Sequence, residues 1–589
     1  MRRFIYGFFA VIGGLVFAFV LLGAGLWIWV RVTEYRVAAN TVLTIDLTAP
    51  FPDAPPSGGL ESLVLPERRP LRDVLDGLER AGGDPRVKGL VARIGDGSFG
   101  LAQIQELRDT VAAFRARGKF AIAYSDSFGE FGSGTRSYYL AAGFDEVWLQ
   151  PMGLLGLIGL RAETPFFRGT LDKLGLVPRF DQREQYKTAM NTLTESAMTP
   201  AHREETESIL ASVYRQIVGG IAADRKLDPG TVRALVDRGP LMTEEALAAH
   251  LIDHIGYWDE AIAAMRARLG GSIHLLSLAH YLDAAGEPHS SGPTVALIYA
   301  NGLIARGGGT GPLGESGILG ANKVIEAFGK AQRDPAVRAI LFRIDSPGGS
   351  AVASESIWRA VVRAKAAGKP VIVSMGDVAG SGGYYIAAGA DKIVAEPATL
   401  TGSIGVLAGK MLITGLTDKL GMSWDSAQIG SNAAMFSPVE DFSKDGHARF
   451  ESFLDDVYAG FKERVAEGRK LDAAAIETVA KGRVWTGEDA KARGLVDALG
   501  GYATALDLAK QAAGIPASSD VTIELFPPPS DTARALIVRA LGGNEDEDSD
   551  DGGASSLAAA LALLQPLVEQ LQLLASPPDA LVMPPVELR

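Results

Sequence analysis

The sequence predicts an α/β protein made of two tandem repeats of stacked β-α units, preceded by one transmembrane helix. Three observations lead to this prediction: an uncharged run near the N-terminus, internal similarity at an offset of about 250 residues, and short apolar runs that alternate with helical patterns. At 589 residues the chain is also too long for one hydrophobic core, so several domains are expected.

The N-terminal segment has no charged residue from Phe4 to Val30. A helix of that length, rising about 1.5 Å per residue, is long enough to cross a ~30 Å hydrocarbon core. A signal peptide that is removed has an apolar core of only about 7–15 residues. We therefore predict an uncleaved anchor and assign it, with its juxtamembrane segment, to residues 1–39. A cleavage-like site at Val37-Ala38-Ala39 keeps removal of this segment as the alternative.

Four blocks of the sequence occur twice in the same order. GDPRVKGLVARI (83–94) matches RDPAVRAILFRI (333–344), and YYLAAGFDEVWLQP (138–151) matches YYIAAGADKIVAEP (384–397). ARGKFAIAY and LDKLG in the first half match AAGKPVIVS and TDKLG in the second. This order indicates a tandem duplication, with repeats at 40–265 and 292–515 and a connector at 266–291.

Each repeat alternates two patterns. VALIYA, AILFRI and VIVSMG predict buried strands, whereas VIEAFGKAQ and SIWRAVVRAKAAG follow the helical period. The alternation predicts a mainly parallel sheet. The tail at 516–589 differs, because it contains an acidic tract at 542–553 that we predict to be disordered. The apolar segment at 556–575 is a helix candidate that either packs on the body or docks on a membrane or partner.

Composition excludes some classes of function. A net charge of −13 argues against a nucleic-acid partner, because phosphate binding requires clustered Lys and Arg. The chain contains no cysteine, which removes disulfides, thiol nucleophiles and Cys-ligated zinc. We predict no metal and no cofactor.

The two repeats differ where chemistry is expected. GSGGYYIAAG (380–389) aligns with GTRSYYLAAG (134–143), so Ser381 corresponds to Thr135 and Gly382 to Arg136. DSPGGS (345–350) aligns with GDGSFG (95–100), which has no Pro-Gly-Gly. Adjacent glycines after a strand can direct backbone N–H groups at an oxyanion, as acyl transfer requires. Only the second repeat therefore carries the features of a serine hydrolase.

A serine nucleophile needs a base, and histidine is not a good candidate here. None of the seven histidines lies in a glycine-rich loop, and the G-x-S-x-G elbow is absent because position 379 is Ala379. Lysine can serve if it is held neutral. Lys187 corresponds to Ala433 at the 246 offset, so the two repeats could hold complementary parts of one site. Burial should lower the pKa of this lysine, whereas Glu184 would oppose the shift if it pointed inward.

These features together resemble a known family. The anchor, the duplicated halves, DSPGGS, GDVAGSGGYYIAAGAD, TGSIGV and QYKTAMN resemble signal peptide peptidase A in its long two-domain bacterial form, a membrane-bound serine protease of the Clp protease/crotonase superfold. The resemblance covers residues 1–515. It implies a nucleophile at Ser381, a general base at Lys187 and a lysine-orienting hydroxyl at Ser403. It also implies an oxyanion region at Gly348, Gly349 and Gly382.

The resemblance also implies a setting. The protein would sit in a bacterial inner membrane with a cytoplasmic N-terminus and a periplasmic body, cleave remnant signal peptides with a Ser-Lys dyad, and form a homo-oligomer such as a ring or bowl of four chains. Two alternatives stay open at this point. One is a crotonase-like enzyme acting on acyl-thioesters, because that superfold shares the oxyanion device. The other is a catalytically inactive membrane scaffold.

Overall fold

The computed structural model describes residues 36–55, 69–97, 99–308, 317–528 and 580–582. The predicted anchor at 4–30, the acidic tract at 542–553 and the apolar segment at 556–575 lie outside these residues. Across the described ranges, no helix is both long enough and apolar enough to cross a membrane.

The first repeat alternates strands and helices, as the sequence predicts. Its strands are β1 (Thr41–Leu47), β2 (Val87–Ile94), β3 (Phe120–Ser125), β4 (Glu146–Leu149), β5 (Leu154–Leu155), β6 (Val177–Gln182), β7 (Leu241–Met242), β8 (His254–Ile255) and β9 (His274–Ser277). Its helices are α1 (Leu71–Gly83), α2 (Leu101–Ala116), α3 (Thr135–Ala142), α4 (Arg168–Leu174), α5 (Asn191–Thr194), α6 (Pro200–Arg225), α7 (Pro229–Arg238), α8 (Thr243–Ala248), α9 (Trp258–Arg268) and α10 (Leu278–Ala285).

The second repeat follows the same alternation. Its strands are β10 (Thr294–Asn301), β11 (Leu303–Ala305), β12 (Ile318–Gly320), β13 (Val337–Ser346), β14 (Gly348–Ser350), β15 (Val371–Gly380), β16 (Lys392–Ala395), β17 (Leu400–Gly402), β18 (Leu407–Leu412), β19 (Val484–Thr486), β20 (Ala498–Leu499) and β21 (Thr522–Leu525). Its helices are α11 (Ala321–Arg333), α12 (Ala351–Ala366), α13 (Gly382–Ala388), α14 (Thr414–Lys419), α15 (Lys444–Arg469), α16 (Ala473–Val479), α17 (Gly487–Ala492) and α18 (Tyr502–Ala512). A last strand, β22 (Ala580–Val582), lies in the tail.

Each repeat is built on one mainly parallel sheet, which confirms that prediction. The first sheet has the order β8-β4-β3-β2-β1-β9 and every neighbouring pair is parallel. The second has the order β19-β17-β15-β13-β10-β21, with β16 paired to β15 and β20 paired to β16, and only β19 runs antiparallel to its neighbour. Strand β9, from the segment that we assigned to the connector, forms the edge of the first sheet by pairing with β1, and helix α10 follows it.

The duplication extends to individual hydrogen bonds. Tyr138 at the centre of α3 donates its hydroxyl to the carbonyl of Leu251 at 2.6 Å. Its counterpart Tyr384 in α13 donates to the carbonyl of Leu495 at 2.8 Å. Both rings are fully buried. The two repeats therefore anchor this helix in the core with the same tyrosine-to-carbonyl hydrogen bond.

The repeats are joined by direct contacts. Strand β6 of the first repeat pairs antiparallel with β18 of the second. The buried guanidinium of Arg343, in the second repeat, bonds the carboxylates of Asp53 at 2.7 Å and Glu106 at 2.8 Å, both in the first. Because β6 lies against the second repeat, the loop that follows it, residues 183–190, is brought to that repeat as well.

Helix α6 follows this loop in the chain and packs beside it. It begins where the Thr199 hydroxyl accepts the N–H of His202 at 3.3 Å and Pro200 occupies the first helical position. It ends at Lys226, whose φ of +55° closes the last turn. These limits put residues 204 and 205 in its second turn, beside the loop at 183–190.

Candidate active site

Ser381 lies at a sharp turn between a strand and a helix. It follows β15, precedes α13 and adopts φ +53° and ψ −113°, a conformation that is rare for a residue with a side chain. Its N–H donates to the carbonyl of Gly402 at 2.8 Å, which fixes the turn against β17. The side chain is fully buried in this chain. The turn thus holds one hydroxyl in a defined direction.

Lys187 meets this hydroxyl from the other repeat. Its Nζ lies 2.7 Å from Ser381 Oγ. The same amine lies 2.9 Å from the carbonyl oxygen of Ser403 and 3.0 Å from its Oγ. The three side chains that the sequence singled out therefore come together within one chain.

Glycines of the second repeat enclose the lysine. A Cβ on Gly482, whose φ is +78°, would lie 2.5 Å from the backbone nitrogen of Lys187. A Cβ on Gly405 would lie 3.2 Å from the lysine Cδ. Apolar Ala189 and Met190 follow the lysine and are buried as well. The amine is consequently fully shielded from water.

Burial lowers the pKa of Lys187 well below its ordinary value, and the carboxyl of Glu205 opposes that shift. Burial also raises the pKa of Glu205 to about 8. A neutral carboxyl does not favour an ammonium ion, so the two effects of burial agree. Glu184, the acid that the sequence suggested as the opposing group, is exposed instead. Sequence reasoning missed Glu205, which resembles any other acid on a long helix.

The three glycines expected at an oxyanion region also converge. Gly348 and Gly349 have φ of +108° and +151°. A Cβ on Gly382 would lie 3.1 Å from Gly348 Cα and from the Gly349 nitrogen. The Gly348 N–H donates to Ser346 Oγ at 3.2 Å. The N–H of Gly382 is the first of α13 and has no acceptor inside the helix.

A segment of the tail lies along this glycine strand. Strand β22 pairs antiparallel with β14, with Val582 opposite Gly348 and Ala580 opposite Ser350. The sequence did not predict this pairing. Strand β14 therefore pairs with an extended segment next to the turn that holds Ser381.

One cluster in the described residues has the composition of a metal site. Ligand atoms of Asp76, Glu79 and His289 lie within 4.8 Å of one another. His289 Nε2 already pairs with Glu79 at 3.3 Å, and Asp76 pairs with Arg72 at 3.0 Å. The cluster borders a cavity of about 390 Å³ between the repeats, and neither Ser381 nor Lys187 lines that cavity.

Comparison with known proteins finds related chains. The family model described as Peptidase family S49 matches residues 113–270 and 363–516, one region in each repeat. The chain is 33% identical to "Serine protease SPPA, chloroplastic" of Arabidopsis thaliana, covering 86% of this chain and 74% of that one. It is 30% identical to "Protease 4" of Salmonella typhi, covering 86% and 87%. It is 28% identical to "Protease 4" of Haemophilus influenzae, covering 74% and 72%. The first matched region contains Lys187 and the second contains Ser381 and Ser403.

Proposed function

The chain belongs to peptidase family S49 and is a serine protease of the signal peptide peptidase A type, and on this premise we propose that Ser381 and Lys187 are its catalytic dyad. The observation that carries the proposal is the 2.7 Å distance between Lys187 Nζ and Ser381 Oγ, formed by residues 194 positions apart. A nucleophile and a base within hydrogen-bond distance are what covalent catalysis requires.

The protonation state of the lysine supports the assignment. A general base must be neutral, and an ordinary lysine with a pKa of about 10.4 is almost entirely protonated at pH 7. Lys187 is fully buried, and desolvation lowers its pKa. Ser403 contributes a hydroxyl and a carbonyl oxygen to the same amine, so its role in this proposal is to orient the lysine lone pair toward Ser381.

The reaction then proceeds in two halves. Lys187 takes the proton from Ser381 Oγ, which attacks the peptide carbonyl and forms a tetrahedral intermediate. The N–H groups of Gly382 and Gly349 stabilise its oxyanion, with Gly348 shaping the strand that presents them. Lys187 gives that proton to the leaving amine. A water molecule, deprotonated by the same lysine, then attacks the acyl carbonyl, and the lysine returns the proton to Ser381 Oγ as the product carboxyl group leaves.

The proposed substrates are extended apolar peptides at a membrane. Strand β14 takes Ala580–Val582 as an antiparallel partner, and a substrate binding in the same way would cross the site as an added strand. The uncharged run from Phe4 to Val30 is the proposed single-pass anchor, with the body in the periplasm. Remnant signal peptides meet both requirements. The homo-oligomeric ring expected from the resemblance stays a prediction.

Membership of a serine peptidase family favours hydrolysis of peptide bonds over acyl-thioester chemistry and over an inactive scaffold. None of the site contacts described above favours either alternative.

The proposal is tested with a covalent serine probe and a pH profile. A fluorophosphonate should label wild type at Ser381 and leave Ser381→Ala unlabelled, as mass spectrometry of the labelled peptide will report. With an apolar fluorogenic peptide, kcat/KM should rise with pH as Lys187 loses its proton, with a midpoint well below the 10.4 of free lysine. Labelling elsewhere, or a rate that is flat from pH 5 to 9 while chemistry is rate-limiting, would overturn the dyad.

A further inference from the structure

Two adjacent acids on α6 bond the residues immediately before and after the lysine. Glu204 Oε2 accepts the hydroxyl of Tyr186 at 2.8 Å, directly before Lys187 in the chain. Glu205 Oε2 accepts the hydroxyl of Thr188 at 3.4 Å, directly after it. The residues that flank the amine-bearing side chain are therefore each held by one carboxyl of the same helix turn.

The other oxygen of each acid reaches into the second repeat. Glu204 Oε1 accepts Arg483 Nη1 at 2.8 Å, and Glu205 Oε1 accepts the N–H of Val484 at 2.6 Å. Arg483 and Val484 are consecutive, as Glu204 and Glu205 are. We call these two acids, with the four residues that they bond, the acid bracket.

The bracket continues to the partners of the lysine amine. The carbonyl of Arg483 accepts the N–H of Ser403 at 2.8 Å, and Val484 pairs with Gly402 across β19 and β17. Ser403 in turn bonds Lys187 Nζ with its Oγ and its carbonyl. The two residues beside the lysine and the lysine amine are thus linked, through one continuous set of contacts, to the same pair of residues, Arg483 and Val484.

Burial distinguishes the two acids. Glu204 is exposed, whereas Glu205 is 2% exposed and shares its surroundings with Lys187. The charged groups facing Glu205 are the guanidinium of Arg483, on the strand side, and Lys187 itself. Burying a carboxyl is unfavourable unless its hydrogen bonds are satisfied, and both oxygens of Glu205 have partners.

We propose that Glu204 and Glu205 are positioning residues that hold Lys187 at Ser381 from both sides. This inference rests on the proposed Ser-Lys dyad. It goes beyond the dyad because neither acid contacts Ser381. An acid that only joined the repeats would affect folding without affecting the rate of chemistry.

The test compares Glu205→Ala and Glu205→Gln in the full chain with the apolar peptide substrate. Alanine removes both contacts, and we expect kcat to fall about 10²-fold with KM little changed, because a misplaced base slows chemistry more than binding. Glutamine keeps an oxygen for the N–H of Val484 and should recover most of kcat. Its acid limb should lie at or below the wild-type pH, because no charge at position 205 can then favour the lysine ammonium.

The matched control is Asp441→Asn. Asp441 pairs with Arg179 at 2.8 Å and also joins the two repeats, through a carboxyl that is not part of the bracket. It should leave kcat and the pH profile unchanged. Glu204→Gln should give a smaller loss than Glu205→Ala, because its carboxyl is exposed.

The outcomes separate this inference from the dyad. If Ser381→Ala and Lys187→Ala retain turnover, the dyad is wrong whatever the bracket does. If both are inactive while Glu205→Ala has the kcat of the control, the bracket is wrong and the dyad stands. A Glu205→Gln variant that recovers none of the kcat lost in Glu205→Ala would also overturn the positioning role. Circular dichroism and melting curves establish that each variant is folded.

Discussion

The two repeats use the same turn for different purposes. In the first, the hydroxyl of Thr135 at the start of α3 donates to the carbonyl of Gly159 at 3.0 Å and accepts the N–H of Ile158 at 3.3 Å. In the second, the hydroxyl of Ser381 at the start of α13 faces the amine of Lys187. The Thr135 hydroxyl therefore bonds backbone groups of its own repeat, whereas the Ser381 hydroxyl contacts a lysine side chain of the other repeat.

The lysine position shows the reverse difference. Lys187 in the first repeat is fully buried at the site, whereas its counterpart Ala433 is exposed. The comparison teaches that, on the proposed dyad, each repeat contributes one of the two catalytic side chains. Four predictions follow the comparison from the largest expected effect to the smallest.

Replacing the paired hydroxyls should give opposite results. Ser381→Ala removes the proposed nucleophile, and we expect kcat to fall by at least about 10⁴-fold. Thr135→Ala should keep full activity but lose about 1 kcal/mol of stability, because the hydrogen bonds of its hydroxyl to Gly159, Ile158 and Ser133 are lost. Peptide cleavage and thermal melting measure the two effects. Comparable loss of activity in both variants would contradict the division between the repeats.

Replacing Lys187 by Met should separate activity from stability. Without the base, kcat should fall about 10³-fold or more. Burial lowers the pKa of Lys187 in the folded chain, whereas in the unfolded chain the pKa has its ordinary value of about 10.4. Folding of the wild type at neutral pH therefore includes a free-energy cost for removing the lysine proton. This cost diminishes as the pH approaches 10.4, and Lys187→Met lacks it.

The measurement for this variant is chemical denaturation at several pH values. Lys187→Met should exceed wild type in unfolding free energy at pH 7, by a margin that narrows toward pH 10. A margin independent of pH would mean that the lysine is charged in the folded protein. Ala433→Lys, at the exposed counterpart, is the control and should change neither activity nor stability.

Adding a methyl group at Gly382, in the proposed oxyanion region, should lower kcat, whereas truncating the equivalent residue of the first repeat should not. The Cβ of Gly382→Ala would lie 2.7 Å from Ser354 Oγ and 3.1 Å from Gly348 Cα, so Ser354 or the turn must shift. We expect kcat to fall about 10²-fold through misplacement of the reacting groups. Arg136→Ala, at the equivalent position of the first repeat, should leave kcat at the wild-type value.

The smallest expected difference is between the equivalent tyrosines. Tyr138→Phe and Tyr384→Phe each leave one buried backbone carbonyl without its donor and should each cost about 1–3 kcal/mol. Because the two environments match, the losses measured by denaturation should agree closely. A much larger loss in one repeat would show that the structural equivalence ends at the backbone.

Much of the fold and the central pair of the site could be predicted from the sequence, because local patterns encode them. Apolar runs and the repeat offset identify the parallel sheets, and the same offset, with the family resemblance, selects Ser381 and Lys187. The contacts that enclose the pair could not be predicted in this way. Glu205 lies 279 positions from Val484, and no local pattern separates it from the acids on the exposed face of α6. The close approach of Gly482 to Lys187 depends on the same long-range packing.

The split of the site between the repeats has a consequence for biosynthesis. A chain leaving the ribosome carries Lys187 long before Ser381, and the residues that enclose the amine end only at Val484. Until that stretch has emerged, the nascent polypeptide holds a solvated lysine with no nucleophile beside it. On the proposed dyad, proteolytic activity therefore begins only when synthesis is nearly finished.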